Sequence, residues 1–270
     1  MRTSLDMEKV SVRLTAFIAD TARRAGFARL IVGLSGGVDS ALSAALGARA
    51  VGRENILGLL LPYKGSSPQS ENDARETARV LGLATERIDI TPMIDAYFDT
   101  TDASALRRGN KCARERMAIL FDIASRDRRL VLGTSNKTEV ALGYSTWFGD
   151  SACSLNPLGG LYKHEVREMA AHLGIPRAII DKAPTADLWP DQTDEGELGL
   201  TYKMADDLLD LIIERGIVSL SALMAKTGAD EATVKSVFSR INTYGFKRSL
   251  PATDLLGGRP IPETVKLIEP

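Results

Sequence analysis

The chain has 270 residues, of which 44% are hydrophobic, so it can bury a full core without disulfide or metal cross-links. Its 34 Lys and Arg residues are balanced by 35 Asp and Glu residues, and the resulting net charge of −1 gives no sign of the basic surface that DNA or tRNA binding needs. Two cysteines, Cys112 and Cys153, are too few for a disulfide framework. No apolar run approaches the roughly 18 residues of a membrane span, and residues 1–9 lack the apolar core of a signal peptide. We therefore expect a cytoplasmic protein without a membrane anchor.

The first two thirds of the chain alternate between amphipathic helices and apolar strands. The pattern predicts, in chain order, a helix over 10–25, a strand over 30–34, a helix over 41–50, a strand over 56–61, a helix from a capping box at 70–73 to Gly82, a strand over 85–90, a helix over 112–125, a strand over 130–133 and a helix over 163–173. This alternation predicts an α/β fold with a doubly wound parallel sheet that is covered by helices on both faces.

The last third of the chain has a different character. Residues 183–199 are rich in Pro, Gly and acidic side chains, which predicts a loop over a ligand site. We expect the acids of this loop, Asp191, Asp194, Glu195 and Glu197, to be solvated rather than to form a second metal site. Residues 200–250 predict a small helical C-terminal appendage to a single domain over 1–250, followed by a poorly ordered tail over 251–270.

A glycine turn separates the first predicted strand from its helix, with the sequence Ser35-Gly36-Gly37-Val38-Asp39-Ser40. A strand, a turn and a helix in this order present backbone N–H groups and the positive end of the helix dipole to a phosphate. The glycines leave no side chain in the way, and Asp39 adds a carboxylate for a phosphate-bound Mg²⁺. An ordinary glycine-rich turn is the alternative, but the complete hexapeptide after an apolar strand favours ATP binding.

A second glycine-bearing strand exit, at Gly133, is predicted to meet this turn. Parallel strands end at the same edge of a sheet, and ligands of open α/β sheets bind there. The two exits, at Ser35 and Gly133, therefore predict one site that is built from distant parts of the sequence.

The hexapeptide resembles the pyrophosphate-binding loop of the N-type ATP pyrophosphatases, and residues 8–250 resemble the short, ammonia-dependent NAD synthetases. The further motifs that carry this resemblance are GNKCARERM (109–117), LGTSNKTE (132–139), Gly149-Asp150, LYKHE (161–165), KAPTADL (182–188), DEGELG (194–199) and Lys247-Arg248. Each motif is weak alone, but their order and spacing together are hard to obtain by chance.

The resemblance implies an adenine nucleotide alpha-hydrolase-like fold, a homodimer and a two-step amide synthesis. ATP, as co-substrate, would adenylate the carboxylate of deamido-NAD, and ammonia, free or delivered by a partner, would displace AMP; the chain has no extra length for the amidase domain of glutamine-dependent relatives. The implied catalytic residues are Asp39 and Lys163, and the implied Mg²⁺ ligands are Asp39 and Glu139. The implied ATP-binding residues are Gly33, Leu34, Ser35, Gly36, Gly37, Val38, Asp39, Ser40, Thr134, Lys163 and Thr185. The positions implied for the acid substrate are Arg114, Trp147, Ser154, Phe246 and Lys247.

Three of these substrate positions depart from the family pattern, which has Lys at Trp147, usually Asp at Ser154, and His at Phe246. One hypothesis is a divergent NAD synthetase in which other groups bind deamido-NAD. The other is a related ammonia-dependent amide ligase that adenylates a different carboxylic acid, either one that is less anionic or one that stacks on Trp147. Trp147 as a packed loop residue is a third interpretation.

Functions of other classes, and roles of other kinds for single residues, stay open at this point. A tRNA-thiolating pyrophosphatase or a nucleotide sensor without catalysis would use the same turn, although the charge balance argues against RNA binding. Glu139 could be an exposed acid at a helix start, Lys163 a solvated lysine and Arg114 the partner of an acid.

Overall fold

The computed structural model describes residues 5–100, 102–185, 187, 189, 192–249 and 251. Within these residues four parallel strands form one sheet in the order β3-β2-β1-β4. The strands are β1 (Arg29–Gly33), β2 (Ile56–Leu60), β3 (Ala84–Arg87) and β4 (Arg129–Val131). Strand β1 is central, with Leu30 opposite Ile56 of β2 and Leu130 of β4. The strand order therefore reverses between β1 and β4, and such a reversal opens a crevice at the carboxyl ends of the strands.

The described helices cover both faces of the sheet. They are α1 (Met7–Arg24), α2 (Val38–Val51), α3 (Pro68–Leu81), α4 (Thr91–Phe98), α5 (Ala105–Asp127), α6 (Lys137–Leu142), α7 (Lys163–His172), α8 (Arg177–Ile180), α9 (Asp194–Leu198), α10 (Tyr202–Leu209), α11 (Leu220–Thr227) and α12 (Glu231–Thr243). Two short 3-10 helices (Arg53–Asn55 and Gly245–Arg248) and a π-helical segment (Asp210–Glu214) complete the pattern.

Three apolar clusters hold these layers together. One contains Ile18, Leu42 and Val166 and joins α1, α2 and α7 to one face of the sheet. A second packs α4 and α5 against the other face, around Ile31 and Ile94. The third forms the core of the C-terminal helices and includes residues of α6. The predicted α/β fold with helices on both faces and a helical C-terminal appendage is confirmed.

Several predicted boundaries were wrong, each for a local reason. The capping box at 70–73 does not open α3, because Ser67 accepts a hydrogen bond from the N–H of Gln69 and Pro68 takes the first helical position. Helix α5 starts well before residue 112 because Ser104 caps it. The first turns of this helix are polar and lack the apolar spacing of an amphipathic helix, so the sequence pattern did not reveal them. The predicted tail over 251–270 lies, apart from Pro251, outside the described residues. No described helix combines the length and apolarity that a membrane span requires.

Candidate active site

A cavity of about 780 Å³ opens where the strand order reverses. The turn after β1 and the segment Gly133–Ser135 after β4 both line it. The buried hydroxyl of Ser43 on α2 donates a hydrogen bond to the carbonyl of Gly133 at 2.8 Å and ties the two strand exits together. The predicted meeting of the two glycine-bearing exits is therefore confirmed.

The turn between β1 and α2 is held by its own hydroxyl groups. Ser40 Oγ accepts from the N–H of Ser35 at 3.2 Å and donates to the carbonyl of Gly37 at 2.9 Å. Gly37 is the N-cap of α2, and no side chain caps this helix. The amide groups of its first turn are therefore available to an anion, which is the arrangement found at helix starts that bind phosphate.

Gly36 is the residue of this turn that requires glycine. Its φ is +79°, a left-handed conformation, and it does not line the cavity but packs against the start of α3. A Cβ atom at Gly36 would lie 2.2 Å from the carbonyl oxygen of Ser70. The close contact between turn and helix α3 is therefore possible only without a side chain.

Lys163 lies between the two carboxylates that were predicted to bind a metal. Its Nζ is 2.5 Å from Asp39 Oδ2 and 3.4 Å from Glu139 Oε1. The Lys163 side chain is only 4% exposed, so it is not the solvated lysine of the alternative interpretation. The turn after β1, the start of α6 and the start of α7 therefore bring three ionisable groups together in the cavity wall.

Burial and mutual charge set the protonation of this group. Burial raises the pKa of the Glu139 carboxyl to about 8, and Lys163 opposes that rise. The negative charges of Asp39 and Asp194 add to it. Burial alone would lower the pKa of Lys163, but Asp39 and Glu139 raise it above its usual value. The ammonium group thus stays charged, and a further cation would favour the charged form of Glu139.

Asn136 is a functional candidate that the sequence interpretation missed. It is fully buried, its Nδ2 donates to Asp39 Oδ1 at 2.9 Å, and its Oδ1 accepts from the N–H of Glu139 at 3.0 Å. Glu139 Oε2 in turn accepts from the N–H of Asn136 at 3.3 Å, which completes a capping box at the start of α6. The spacing of Asn136 and Glu139 in the sequence is the signal that could have revealed this pair.

The expectation that the acids over 191–197 are solvated was wrong for Asp194. This residue is 5% exposed and accepts hydrogen bonds from the hydroxyls of Tyr202 at 2.9 Å and Tyr144 at 3.1 Å. The same Tyr202 hydroxyl oxygen lies 3.4 Å from Glu139 Oε1, so Asp194 borders the Lys163 group. Two tyrosine hydroxyls from other segments compensate the burial of the carboxylate. Asp191 lies outside the described residues.

The family model described as NAD synthase matches residues 10–251. The chain belongs to the NAD synthase family. It is 45% identical over 251 residues to the NH(3)-dependent NAD(+) synthetase of Fusobacterium nucleatum, covering 93% of this chain and 96% of the relative. It is 44% identical over 261 residues to the protein of the same name from Trichlorobacter lovleyi, covering 96% and 95%.

Two solved structures of similar proteins have the same fold. The NMN synthetase of Francisella tularensis matches with a TM-score of 0.83 and 32% identity, over 93% of this chain and 99% of that one. The NH3-dependent NAD synthetase of Campylobacter jejuni matches with a TM-score of 0.78 and 30% identity over the same shares. The resemblance inferred from the motifs is thus confirmed.

Two further residues that the family pattern assigns to ATP, Thr134 and Thr185, also line the cavity. Thr185 Oγ1 donates to the carbonyl of Gln192 at 2.7 Å and accepts from the N–H of Asp187 at 3.0 Å. This hydroxyl therefore also holds residues 185, 187 and 192 together.

The five substrate positions of the NAD synthase pattern are not all neighbours. Lys247 lines the cavity, and its Nζ donates to the carbonyls of Gly143 at 2.8 Å and Ser145 at 2.6 Å. The other four positions are Arg114, Trp147, Ser154 and Phe246, and none of them lies in the cavity wall.

Three of those four residues, Arg114, Trp147 and Phe246, form one group. The ring of Trp147 stacks on Phe148 at 4.3 Å between centroids and meets Phe246 edge-on at 5.0 Å. Arg114 Nε donates to the Trp147 carbonyl at 3.3 Å instead of pairing with an acid. Ser154 accepts from the N–H of Val131 on β4 at 3.2 Å, which extends the edge of the sheet.

Proposed function

We propose that this protein amidates deamido-NAD with ammonia in an ATP-dependent reaction that gives NAD, AMP and pyrophosphate. The observation that carries the proposal is the buried contact of Lys163 with Asp39 and Glu139 beside an uncapped helix start. The relatives that share 44–45% identity with the chain carry the corresponding name.

The chemistry has two steps because a carboxylate is a poor electrophile. In the first, a carboxylate oxygen of the acid attacks the α-phosphorus of ATP, and the bond to the bridging oxygen breaks to release pyrophosphate. In the second, ammonia attacks the acyl carbon, the acyl–oxygen bond breaks, and AMP leaves with that oxygen while a proton is released. The protein needs no covalent nucleophile, and its task is to orient the reactants and stabilise negative charge.

The residues at the sheet edge suit the first step. The turn over 35–40 and the positive end of α2 offer N–H groups to the β- and γ-phosphates. Lys163 is a fixed, charged ammonium where the pyrophosphate leaves, and a lysine binds phosphate as a point charge. Thr134 offers a hydroxyl group to the nucleotide from the cavity wall, and Thr185, whose hydroxyl proton is donated to Gln192, lines the same wall.

Asp39 and Glu139 suit a Mg²⁺ ion that is bound to the phosphates of ATP. No group of three or more His, Cys, Asp or Glu side chains suited to a metal occurs among the residues that the structure describes. Mg²⁺ is commonly held by one or two carboxylates together with substrate phosphates and water, and Asp39 and Glu139 supply two. The ion would neutralise charge on the phosphate oxygens, and the raised pKa of Glu139 indicates a carboxylate that gains from a nearby cation.

The experiment that tests the proposal is a screen of acids for AMP formation. Purified protein is given ATP, Mg²⁺ and ammonium chloride with deamido-NAD, nicotinate mononucleotide, free nicotinate or no acid. We expect AMP and pyrophosphate in equal amounts with deamido-NAD, the amide as co-product, and no amide when glutamine replaces ammonium. A faster reaction with another acid would favour the second hypothesis, and AMP formation without any acid would contradict both.

The aromatic group of Trp147, Phe148 and Phe246 suits a flat, anionic substrate. Phe148 and Phe246 are about half exposed, and Arg114 and Lys247 place positive charge beside them. Stacking of a base on an aromatic side chain contributes about 1–3 kcal/mol. We therefore expect Trp147→Ala to raise the KM for deamido-NAD about tenfold, with the KM for ATP unchanged within a factor of two, in steady-state assays of AMP formation.

The matched control for this prediction is Phe17→Ala. Phe17 is another exposed aromatic residue, on α1, which packs on the sheet face away from the aromatic group. If both variants have the same KM for deamido-NAD, Trp147 is only a packed loop residue. The triple variant Trp147→Lys, Ser154→Asp, Phe246→His then asks whether these positions steer substrate choice, and unchanged activity on deamido-NAD would refute that role.

A homodimer and a cytoplasmic location complete the proposal. The homodimer comes from the resemblance to the family, and the cytoplasmic location comes from the low cysteine count. The two thiols, of Cys112 and Cys153, are free, which suits a reducing compartment. Analytical ultracentrifugation of the purified protein measures the oligomeric state, and a single monomeric species at working concentrations would exclude the dimer.

A further inference from the structure

A buried carboxylate outside the cavity connects the two helices that carry Glu139 and Lys163. Asp206 lies on α10, is 2% exposed and is not part of the cavity wall. Its Oδ1 accepts from the hydroxyl of Thr138 at 2.5 Å, and its Oδ2 accepts from the backbone N–H of His164 at 3.0 Å. The same Oδ2 lies 2.8 Å from His164 Nδ1. A single side chain therefore contacts the first turns of both α6 and α7.

Thr138 links these helices a second time. It is fully buried, and its Oγ1 accepts from the backbone N–H of Lys163 at 3.0 Å while it donates to Asp206. Thr138 directly precedes Glu139, and Lys163 directly precedes His164. The hydrogen bonds thus act on the residues next to Glu139 and on the backbone of Lys163 itself.

The arrangement has a physical reason beyond packing. The first N–H groups of a helix have no partner within the helix, and at the start of α7 Thr138 and Asp206 supply partners from other elements. A buried carboxylate is costly unless it is fully hydrogen-bonded, so Asp206 tolerates little displacement of its donors. Its negative charge also complements the positive end of α7. The geometry between the two helix starts is therefore tightly restricted.

We propose that Asp206 and Thr138 are positioning residues for the adenylation step. They hold the start of α7, which carries Lys163, against the start of α6, which carries Glu139. This contact determines the positions of the Lys163 ammonium and the Glu139 carboxylate relative to the phosphates of ATP. This role rests on the proposed ATP-dependent amidation. A displacement of catalytic groups by a fraction of an ångström to an ångström is enough to lower a rate strongly.

The test compares Thr138→Val with Thr77→Val. Both changes replace a buried threonine with valine, which has nearly the same volume but no hydroxyl group. The Thr77 hydroxyl donates to the carbonyl of Asp73 within α3. We expect Thr138→Val to lower the kcat of AMP formation at least tenfold, with the KM for deamido-NAD unchanged within a factor of two. Thr77→Val should keep the wild-type kcat and lose less Tm than Thr138→Val, because its hydroxyl bonds a backbone carbonyl and not a buried carboxylate. Thr138→Ser should keep kcat within threefold of wild type.

A milder variant keeps the proposal testable if Thr138→Val does not fold. His164→Ala removes one of the three contacts to Asp206 from a side chain that is 39% exposed, and we expect kcat to fall about threefold. Equal kcat values for Thr138→Val and Thr77→Val, or a wild-type kcat for His164→Ala, would overturn the positioning role while the amidation stands. A wild-type protein that forms no AMP with any acid would contradict the proposed function and this role with it.

Discussion

Replacing Lys163 with methionine is expected to lower the kcat of AMP formation by a factor of about 10²–10³, the usual loss when one preorganised charge-stabilising donor is removed. The ammonium group is buried, charged and in contact with both Asp39 and Glu139. Without it, the departing pyrophosphate loses one fixed positive charge, and Asp39 loses its charged partner. The measurement is steady-state AMP formation with saturating ATP, Mg²⁺, deamido-NAD and ammonia.

Stability must be measured on the same variant, because the loss of one partner from a buried ion pair costs about 3–5 kcal/mol. Urea unfolding, followed by circular dichroism, gives that cost and shows whether the variant is folded in the assay. Lys137→Met is the control, since Lys137 on α6 pairs with Glu214 and lies over the ring of Tyr162 but does not line the cavity. A Lys163→Met enzyme that is folded and within tenfold of the wild-type kcat would remove Lys163 from the chemistry.

Gly36→Ala is expected to raise the KM for ATP by more than tenfold and to destabilise the fold by about 2 kcal/mol or more. The φ of +79° costs a non-glycine residue about 1–2 kcal/mol. The new Cβ would also lie 2.2 Å from the carbonyl oxygen of Ser70, a backbone atom that cannot rotate away. The turn must therefore move away from α3, and the N–H groups that face the phosphates move with it.

The control for this substitution is Gly26→Ala. Gly26 has nearly the same φ, +78°, but a Cβ added there would meet no atom within 4 Å beyond its chain neighbours. Gly26 precedes the amino end of β1, whereas the cavity lies at the carboxyl ends of the strands. This variant should lose about 1 kcal/mol of stability and keep the wild-type KM for ATP. If both variants show the same modest loss of stability and normal ATP kinetics, the contact between the turn and α3 has no role in nucleotide binding.

The part of the site that lies close together in the chain could be predicted from the sequence. The strand β1, the turn over 35–40 and the helix α2 follow one another directly, so local chemistry determines their geometry. The meeting with Gly133 followed from the rule that parallel strands end at one edge, whereas the position of Glu139 came from the resemblance to a family. The position of Lys163 came from the resemblance to a family and not from the physics of its local sequence.

What could not be predicted depends on contacts between distant segments. An acid such as Asp194 or Asp206 looks solvent-exposed in a sequence, because acids are rarely buried unless they are paired. Here the partners come from elsewhere: the hydroxyls of Tyr144 and Tyr202 for Asp194, and the α6 and α7 starts for Asp206. The hydrophobic periodicity of the sequence contains no signal for hydrogen bonds between such distant segments.

The substrate end was predicted least well for a similar reason. The departures from the family pattern at Trp147 and Phe246 were visible in the sequence, but their mutual contact was not. The structure brings these two rings together with Phe148. Ser154 instead accepts a hydrogen bond from Val131 of β4 and makes none of these ring contacts. Two of the three departures thus concern one aromatic group, and they are best tested as a unit.

The most direct test of the whole account is to follow the oxygen of the carboxylate. Deamido-NAD with ¹⁸O in both carboxylate oxygens is incubated with the protein, ATP, Mg²⁺ and ammonia, and the products are weighed by mass spectrometry. Attack of the carboxylate on the α-phosphorus predicts one ¹⁸O atom in AMP, one in the new amide and none in pyrophosphate. Unlabelled AMP, or release of ADP and phosphate instead of AMP and pyrophosphate, would contradict it.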